Sequence, residues 1–312
     1  MSRLLMILKA NMIFNAIETA KALPYPALAA EIAQLLQDPQ IVVPERLVQA
    51  LPGGGSLFVM PACDARLAIT KLISFTPANA ALGLPTIQGD VVVFDVATGK
   101  RLALLDGTCV TARRTAAVSL LAAQKLAPNT NGPLLIVGAG VQGKAHLEAF
   151  VVGLGLTDVV ISSRSHTSAQ HLADHAHTLG LNASITTDPN AAMKDCPLIV
   201  TCTPANGVVL HASPRHDTFL AAVGSFKPEM VELSPALCKH FAQEGSIVVD
   251  TASALHEAGD LLQAGIPIAH LPTLGDVIRG AHRKAAGPVL FKSCGWAGWD
   301  LAAARLAVTR SA

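Results

Sequence analysis

The sequence predicts an α/β protein in two parts: a Rossmann-type doubly wound parallel sheet, and an α+β domain that the C-terminal helix completes. Three observations carry this. From Pro133 onward, short apolar runs alternate with helical stretches, the pattern of right-handed βαβ units. Ahead of Pro133 the apolar runs come in pairs joined by short polar turns, the pattern of antiparallel hairpins. The chain has 312 residues, 51% hydrophobic and 14% charged. That fills two cores, at roughly 100 to 200 residues per domain.

Taken in order, the apolar run LLMIL near the start is five residues long and is closed by Lys9. A signal-peptide core needs roughly 7 to 15, so an ordinary start or a first strand is expected. A helix is expected over residues 26–37. Two strands should flank ACDAR in PGGGSLFVMPACDARLAITKLISF, and a second pair should flank ATGK in DVVVFDVATGKRLALLDG, where glycine supplies the positive φ of a hairpin turn. The alanine-rich TCVTARRTAAVSLLAAQ reads as a helix that Thr108 or Thr111 can cap. NTNG at 129–132 reads as a linker. Beyond it, strands are expected at PLLIVG, DVVISS, ASITT, PLIVTCTP, FLAAVGS and SIVVDT, with helical segments between them, ELSPALCKHFAQ among them. PVLFKSCGWAGWDLAAARLAVTR then gives a strand and a closing helix that return to the first half. The expected division is residues 1–128 with 288–312, for substrate and assembly, and 129–287 for the dinucleotide.

Composition narrows the function. The 23 basic and 22 acidic residues leave a formal charge of +1 with no long runs, so nothing favours nucleic acid or an anionic membrane surface. No stretch approaches the roughly 20 apolar residues of a membrane helix. The six cysteines form no CxxC pair, which fits thiols in a reducing compartment. A cytoplasmic protein acting on a small molecule is expected, with no metal.

The sharpest motif is GAGVQG, with Gly138, Gly140 and Gly143 placed directly after the apolar LLIV and before a helical segment. Such glycines allow a tight turn and let a pyrophosphate sit on free N–H groups at a helix N-terminus. The end of the next strand should select the dinucleotide. An NAD site usually places Asp or Glu there, roughly 20 residues on, for the ribose hydroxyls. Here Ser162, Ser163 and Arg164 stand instead, with Arg164 21 positions after Gly143. A guanidinium there would meet a 2′-phosphate, so NADPH is favoured and NADH remains possible.

Two features of the first half suggest an anion site. Strand alternation in RLAITKLISF puts Leu67, Ile69, Lys71 and Ile73 on one face. Lys71 in that apolar row either answers an anion or snorkels to water at a strand end. Arg113 and Arg114 would fall near a helix N-terminus, where positive charge opposes the dipole unless an anion binds. One of the two then serves that anion while the other is solvated.

At this point the sequence resembles the ornithine cyclodeaminase and μ-crystallin family, which includes ketimine reductases and an alanine dehydrogenase. The resemblance rests on Arg46 in VPERL, Lys71 in ITK, GLPT ending at Thr86, TARRTAA, the glycine motif, VVDTASALHEAGDL and FKSCGWAGWDLAAA. It implies a substrate and dimerisation domain ahead of the Rossmann domain, and a homodimer. It also implies that Arg46, Lys71 and Arg114 bind the substrate carboxylate, with Lys71 nearest the reacting C–N bond. Thr86, Arg114, Val141, Gln142, Thr203, Val223, Gly224 and Ser293 fall where the family surrounds its cofactor.

One position departs from the family. Cyclodeaminases carry an aspartate two residues after the glycine of AAVGSFKPEMVEL, where this chain has Phe226. Phenylalanine cannot move protons. The branch that reduces cyclic ketimines is the better match, and it implies NADPH-dependent reduction of Δ1-pyrroline-2-carboxylate and Δ1-piperideine-2-carboxylate to L-proline and L-pipecolate. The ring nitrogen would take its proton from Lys71 or a held water, or the substrate would arrive protonated. A cyclodeaminase, an alanine dehydrogenase or a non-catalytic NADPH-binding protein would use the same scaffold.

Overall fold

The computed structural model describes residues 11–204, 206–282 and 286–311. The LLMIL run lies outside the described residues. In chain order the elements begin with β1 (Met12–Phe14), α1 (Ala16–Ala22), α2 (Tyr25–Leu35), β2 (Leu47–Ala50), β3 (Ser56–Cys63) and β4 (Leu67–Phe75). They continue with β5 (Ile87–Asp95), β6 (Arg101–Asp106), α3 (Gly107–Leu126), β7 (Leu134–Val137), α4 (Val141–Leu154), β8 (Asp158–Ser162) and α5 (His166–Thr178). Next come β9 (Asn182–Thr186), α6 (Pro189–Ala192), β10 (Leu198–Thr201), β11 (Asn206–Leu210), β12 (Phe219–Ala222) and β13 (Val231–Leu233). Last are α7 (Pro235–Glu244), β14 (Ser246–Val249), α8 (Ala254–Glu257), α9 (Gly259–Gln263), α10 (Leu274–Ile278), β15 (Val289–Lys292) and α11 (Ala297–Ser311).

The chain divides into two compact units, Met1–Arg114 with Trp296–Ala312, and Thr115–Gly295. The first holds a six-stranded sheet of order β1-β6-β5-β4-β3-β2, antiparallel except for the β1–β6 pair. Its inward face follows from alternation: Leu67, Ile69, Lys71 and Ile73 of β4 are buried, while Leu72 between them is exposed. α2 and α11 pack together on the buried face. Asn15 and Glu18 form a capping box that starts α1. Arg305 of α11 ties the helices to the sheet, with Nε donating to Asp64 in the β3–β4 turn and the other arm to Asp38 beyond α2.

The second unit is built on a seven-stranded parallel sheet of order β14-β15-β12-β10-β7-β8-β9, with β11 and β13 pairing apart from it. Its strands are apolar runs buried on both faces, as β7, β10, β12 and β15 are at every residue. Leu135, Ile199, Leu220, Phe241 and Leu290 lie in one core.

Four expectations change. β15 lies between β12 and β14, so Val289–Lys292 belongs to the parallel sheet, 288–295 falls in the second unit, and only Trp296 onward joins the first. A strand buried on both faces can be satisfied only inside a sheet, which is why VLFK goes there. The division falls within α3 rather than at NTNG, because α3 runs unbroken through residue 126. α3 also starts earlier than expected, at Gly107, since the Asp106 carboxylate accepts from Cys109 N at 2.6 Å while Thr108 Oγ donates to Ile87 O. Finally, ELSPALCKHFAQ is helical only from Pro235, behind the Ser234 cap, and its first residues form β13.

Candidate functional site

In the second unit the chain runs outward from β7 through β8 and β9, then returns to pair β10 on the other side of β7. That reversal opens a crevice at the carboxyl ends of the strands. A cleft of about 870 Å³ lies there, lined by Gly138, Gly140, Ser163, Arg164 and Thr203 among others. Gly138 has φ +114°, which side chains rarely adopt, and a Cβ on Gly143 would stand 2.0 Å from Gly138 O. Gly140, at the N-cap of α4, would meet no protein atom within 4 Å. Its lack of a side chain leaves open space over the first amides of α4. Val141 is 64% exposed beside it, and the buried Gln142 Oε1 accepts no hydrogen bond among the described residues. These features fit the diphosphate of a dinucleotide.

A buried carboxylate fastens the loops beyond the next strands. Glu232 accepts from Thr203 N at 2.7 Å and Thr203 Oγ1 at 2.9 Å, and its other oxygen accepts from Gly224 N at 2.7 Å and Ser225 N at 3.2 Å. Gly224 must be glycine, since a Cβ would fall 2.1 Å from Thr203 O. Val223 N donates to Thr201 O, continuing the β10–β12 ladder. Ser293 is held by Asp250, whose Oδ2 also accepts from Cys294 N and Gly295 N. Glu232 was not legible as a site residue: nothing in VEL separates it from a surface glutamate.

In the first unit Lys71 is 1% exposed, so it does not snorkel. The register places it between Met60 of β3 and Val91 of β5, in the middle of the sheet. Its Nζ lies 2.8 Å from Oδ2 of Asp300, a fully buried aspartate in the first turn of α11. Arg114 Nε lies 3.4 Å from the other oxygen, and Arg46, ahead of β2, is near enough for its charge to act on Lys71. Burial pulls the Lys71 ammonium down, Asp300 opposes this, and Arg114 and Arg46 add to the fall, leaving it at about 8. The structure thus brings Arg46, Lys71 and Arg114 together and adds Asp300, which sequence reasoning did not single out. Its only signal was a carboxylate among the apolar residues of WAGWDLAAA.

The arginine pair is resolved differently from expectation. Both lie about two turns into α3, past its N-terminus. Arg113 is not solvated: it donates to Leu23 O at 2.7 Å and stacks 3.8 Å above the Tyr25 ring. Only Arg114 turns to the Lys71 centre. Thr86, also in the first unit, precedes β5, and its carbonyl accepts from Thr76 N.

Residues 24–311 match the model of the ornithine cyclodeaminase/mu-crystallin family. The chain belongs to this family. Among its relatives, Delta(1)-pyrroline-2-carboxylate reductase 1 of Burkholderia multivorans is 38% identical over 95% of this chain and 94% of its own. The Delta(1)-pyrroline-2-carboxylate/Delta(1)-piperideine-2-carboxylate reductase of Azospirillum brasilense is 37% identical over 95% and 94%. The family fold is seen in a Delta(1)-pyrroline-2-carboxylate reductase from Thermococcus litoralis, solved with NADH and L-proline. It is 23% identical and superposes with a TM-score of 0.87 over 97% of both chains.

Proposed function

We propose that this member of the family reduces cyclic 2-imino acids with NADPH, converting Δ1-pyrroline-2-carboxylate to L-proline and Δ1-piperideine-2-carboxylate to L-pipecolate. The observation that carries the reading is the centre where three cations meet one buried carboxylate: Lys71 and Arg114 lie beside Asp300, and Arg46 is near enough for its charge to act on Lys71. Their surplus charge suits a substrate carboxylate, held by charge-assisted hydrogen bonds that orient the ring. A reduced nicotinamide, bound through the glycine turn, supplies the hydride. The cations then favour electron flow toward the C=N carbon beside the carboxylate. Supporting relatives carry this activity in their names.

NADPH is preferred over NADH because Ser163 and Arg164 line the cleft at the end of β8, while the carboxylate that also lines it, Asp188, lies beyond β9 and caps α6. A homodimer rests on the outer face of the first sheet. Strand register puts Ile13, Leu104, Val92, Leu72, Val59 and Leu47 on that face, and Ile13, Leu47 and Leu72 are 66, 60 and 44% exposed. So apolar a sheet face is covered by a second copy. Among the described residues the six cysteines are free thiols, and no helix is long and apolar enough to cross a membrane.

The test is a panel of reactions with the purified protein: the two cyclic ketimines with NADPH and NADH, pyruvate plus ammonia with NADPH, and ornithine with NAD+. Ketimine reduction faster with NADPH, and no ammonia from ornithine, is the expected result. Phe226 stands where cyclodeaminases need a titrating group. Ammonia release at a rate comparable with ketimine reduction overturns the reading.

A further inference from the structure

The centre around Lys71 contains more than a carboxylate receptor needs. Asp300 is a fully buried anion set among cations that suit an anionic substrate, and it stands in the ion pair with Lys71. Its position is built with care. The first turn of α11 favours a carboxylate through the helix dipole. The turn itself is fixed by Trp296 and the fully buried Trp299, packed edge to face at 4.9 Å. Gly298 lets Trp296 fold back, since a Cβ there would lie 2.0 Å from its ring. Yet the carboxylate so placed is little used as a structural brace: beyond its close pairing with Lys71, neither oxygen accepts an aligned hydrogen bond among the described residues, and Arg114 Nε beside it donates none there.

Those facts agree if the task of Asp300 is electrostatic. Without it, a fully buried Lys71 would face Arg114 from α3 and Arg46 from the segment before β2, and among the described residues no other anion acts on it. Such an ammonium loses its proton, and a neutral amine no longer attracts a carboxylate. We propose that Asp300 is a positioning residue for the reaction: it keeps Lys71 charged and aimed while the pocket is empty, so that the substrate carboxylate meets a ready ammonium. The proposal rests on the reductase reading for its kinetic test and is independent of it for its spectroscopic one.

The experiment compares D300N with wild type across pH. Loss of the ammonium on raising pH sets the alkaline limb of kcat/KM for Δ1-pyrroline-2-carboxylate, which in wild type should bend near the Lys71 value of about 8. In D300N the limb should move down by at least about one pH unit, which is roughly a fivefold loss at the wild-type midpoint and about tenfold well above it, while kcat/KM at acid pH falls far less. In the K71M background, D300N should add no further loss to kcat/KM. An alkaline limb that stays in place, or a D300N loss that multiplies with K71M, overturns the proposal. If D300N does not fold, wild-type protein still decides. The Cε carbon of Lys71, followed by NMR in lysine-labelled protein and assigned by its absence in K71M, should report an ammonium at neutral pH without substrate. A neutral amine there overturns the proposal, whatever the protein reduces.

Discussion

Each unit buries a lysine against an aspartate, and the two pairs have nearly the same length: 2.8 Å from Lys71 to Asp300, 2.9 Å from Lys292 to Asp260. Their surroundings differ. Lys292 Nζ also donates to Ser225 O and Ser225 Oγ, both at 2.6 Å, and Asp260 accepts from Glu232 N, Leu233 N and Ser225 Oγ. Burial pulls Lys292 down, but Asp260 and the other negative groups outweigh it and hold the ammonium above its ordinary value. Lys71 has two cations for neighbours and ends below its ordinary value. A closed network braces loops. The open one has capacity left for a ligand.

The comparison breaks most clearly on stability. K292M strands the Asp260 carboxylate in the core and should lower the unfolding free energy by about 3 to 5 kcal/mol. K71M should lower it less, because Arg114 remains beside Asp300. Urea denaturation of both variants checks this, and a K292M protein as stable as wild type would mean that the closed network braces nothing.

Activity should reverse the ranking. K71M should keep its NADPH affinity and lose roughly 10- to 150-fold in kcat/KM for the ketimine, equivalent to about 1.5 to 3 kcal/mol of transition-state binding. Steady-state kinetics with direct cofactor titration separates the two quantities, and unchanged kinetics would remove Lys71 from the site.

With pH the two lysines should move in opposite senses. Lys71 titrates at about 8 when folded and at 10.5 when unfolded. Between these values the folded chain has released a proton that the unfolded chain keeps, so stability from this group rises with pH, by at most about 1.4 kcal/mol per unit. Lys292, raised on folding, contributes fully below 10.5 and loses its contribution as pH climbs through its higher folded value. The stability difference between wild type and K71M should therefore shift in favour of wild type from pH 8 to 10.5. A flat difference would show that the Lys71 ammonium is unperturbed.

The smallest effect belongs to the exposed Arg164. R164A should weaken NADPH by about 1 kcal/mol, roughly fivefold, and leave NADH nearly unchanged, because only NADPH carries the 2′-phosphate. Equal losses for both cofactors, read by fluorescence titration, would make Arg164 a bystander.

How much of this was legible in the sequence follows the range of the interactions. Alternation in RLAITKLISF was enough to put Lys71 on the buried face of β4, and the strand–glycine–helix order of LLIVGAGVQG was enough to locate the crevice, because both are properties of a few consecutive residues. The helix and hairpin pattern ahead of Pro133 was legible for the same reason. The sequence left open whether Lys71 met an anion or water, and it could not choose between Arg113 and Arg114 on physical grounds. Only the packing of α11 against the sheet decided the first, by bringing Asp300 to Lys71. Only the true start of α3 at Gly107 decided the second, by turning Arg113 to Tyr25 and Arg114 to Asp300. The sheet that β15 joins and the role of Glu232 were missed alike, since a buried strand finds its neighbours, and a carboxylate its four donors, only across loops brought together by the whole fold. Local periodicity sets which way a side chain faces; which charge it meets depends on segments far apart in the chain, and that is settled by tertiary packing.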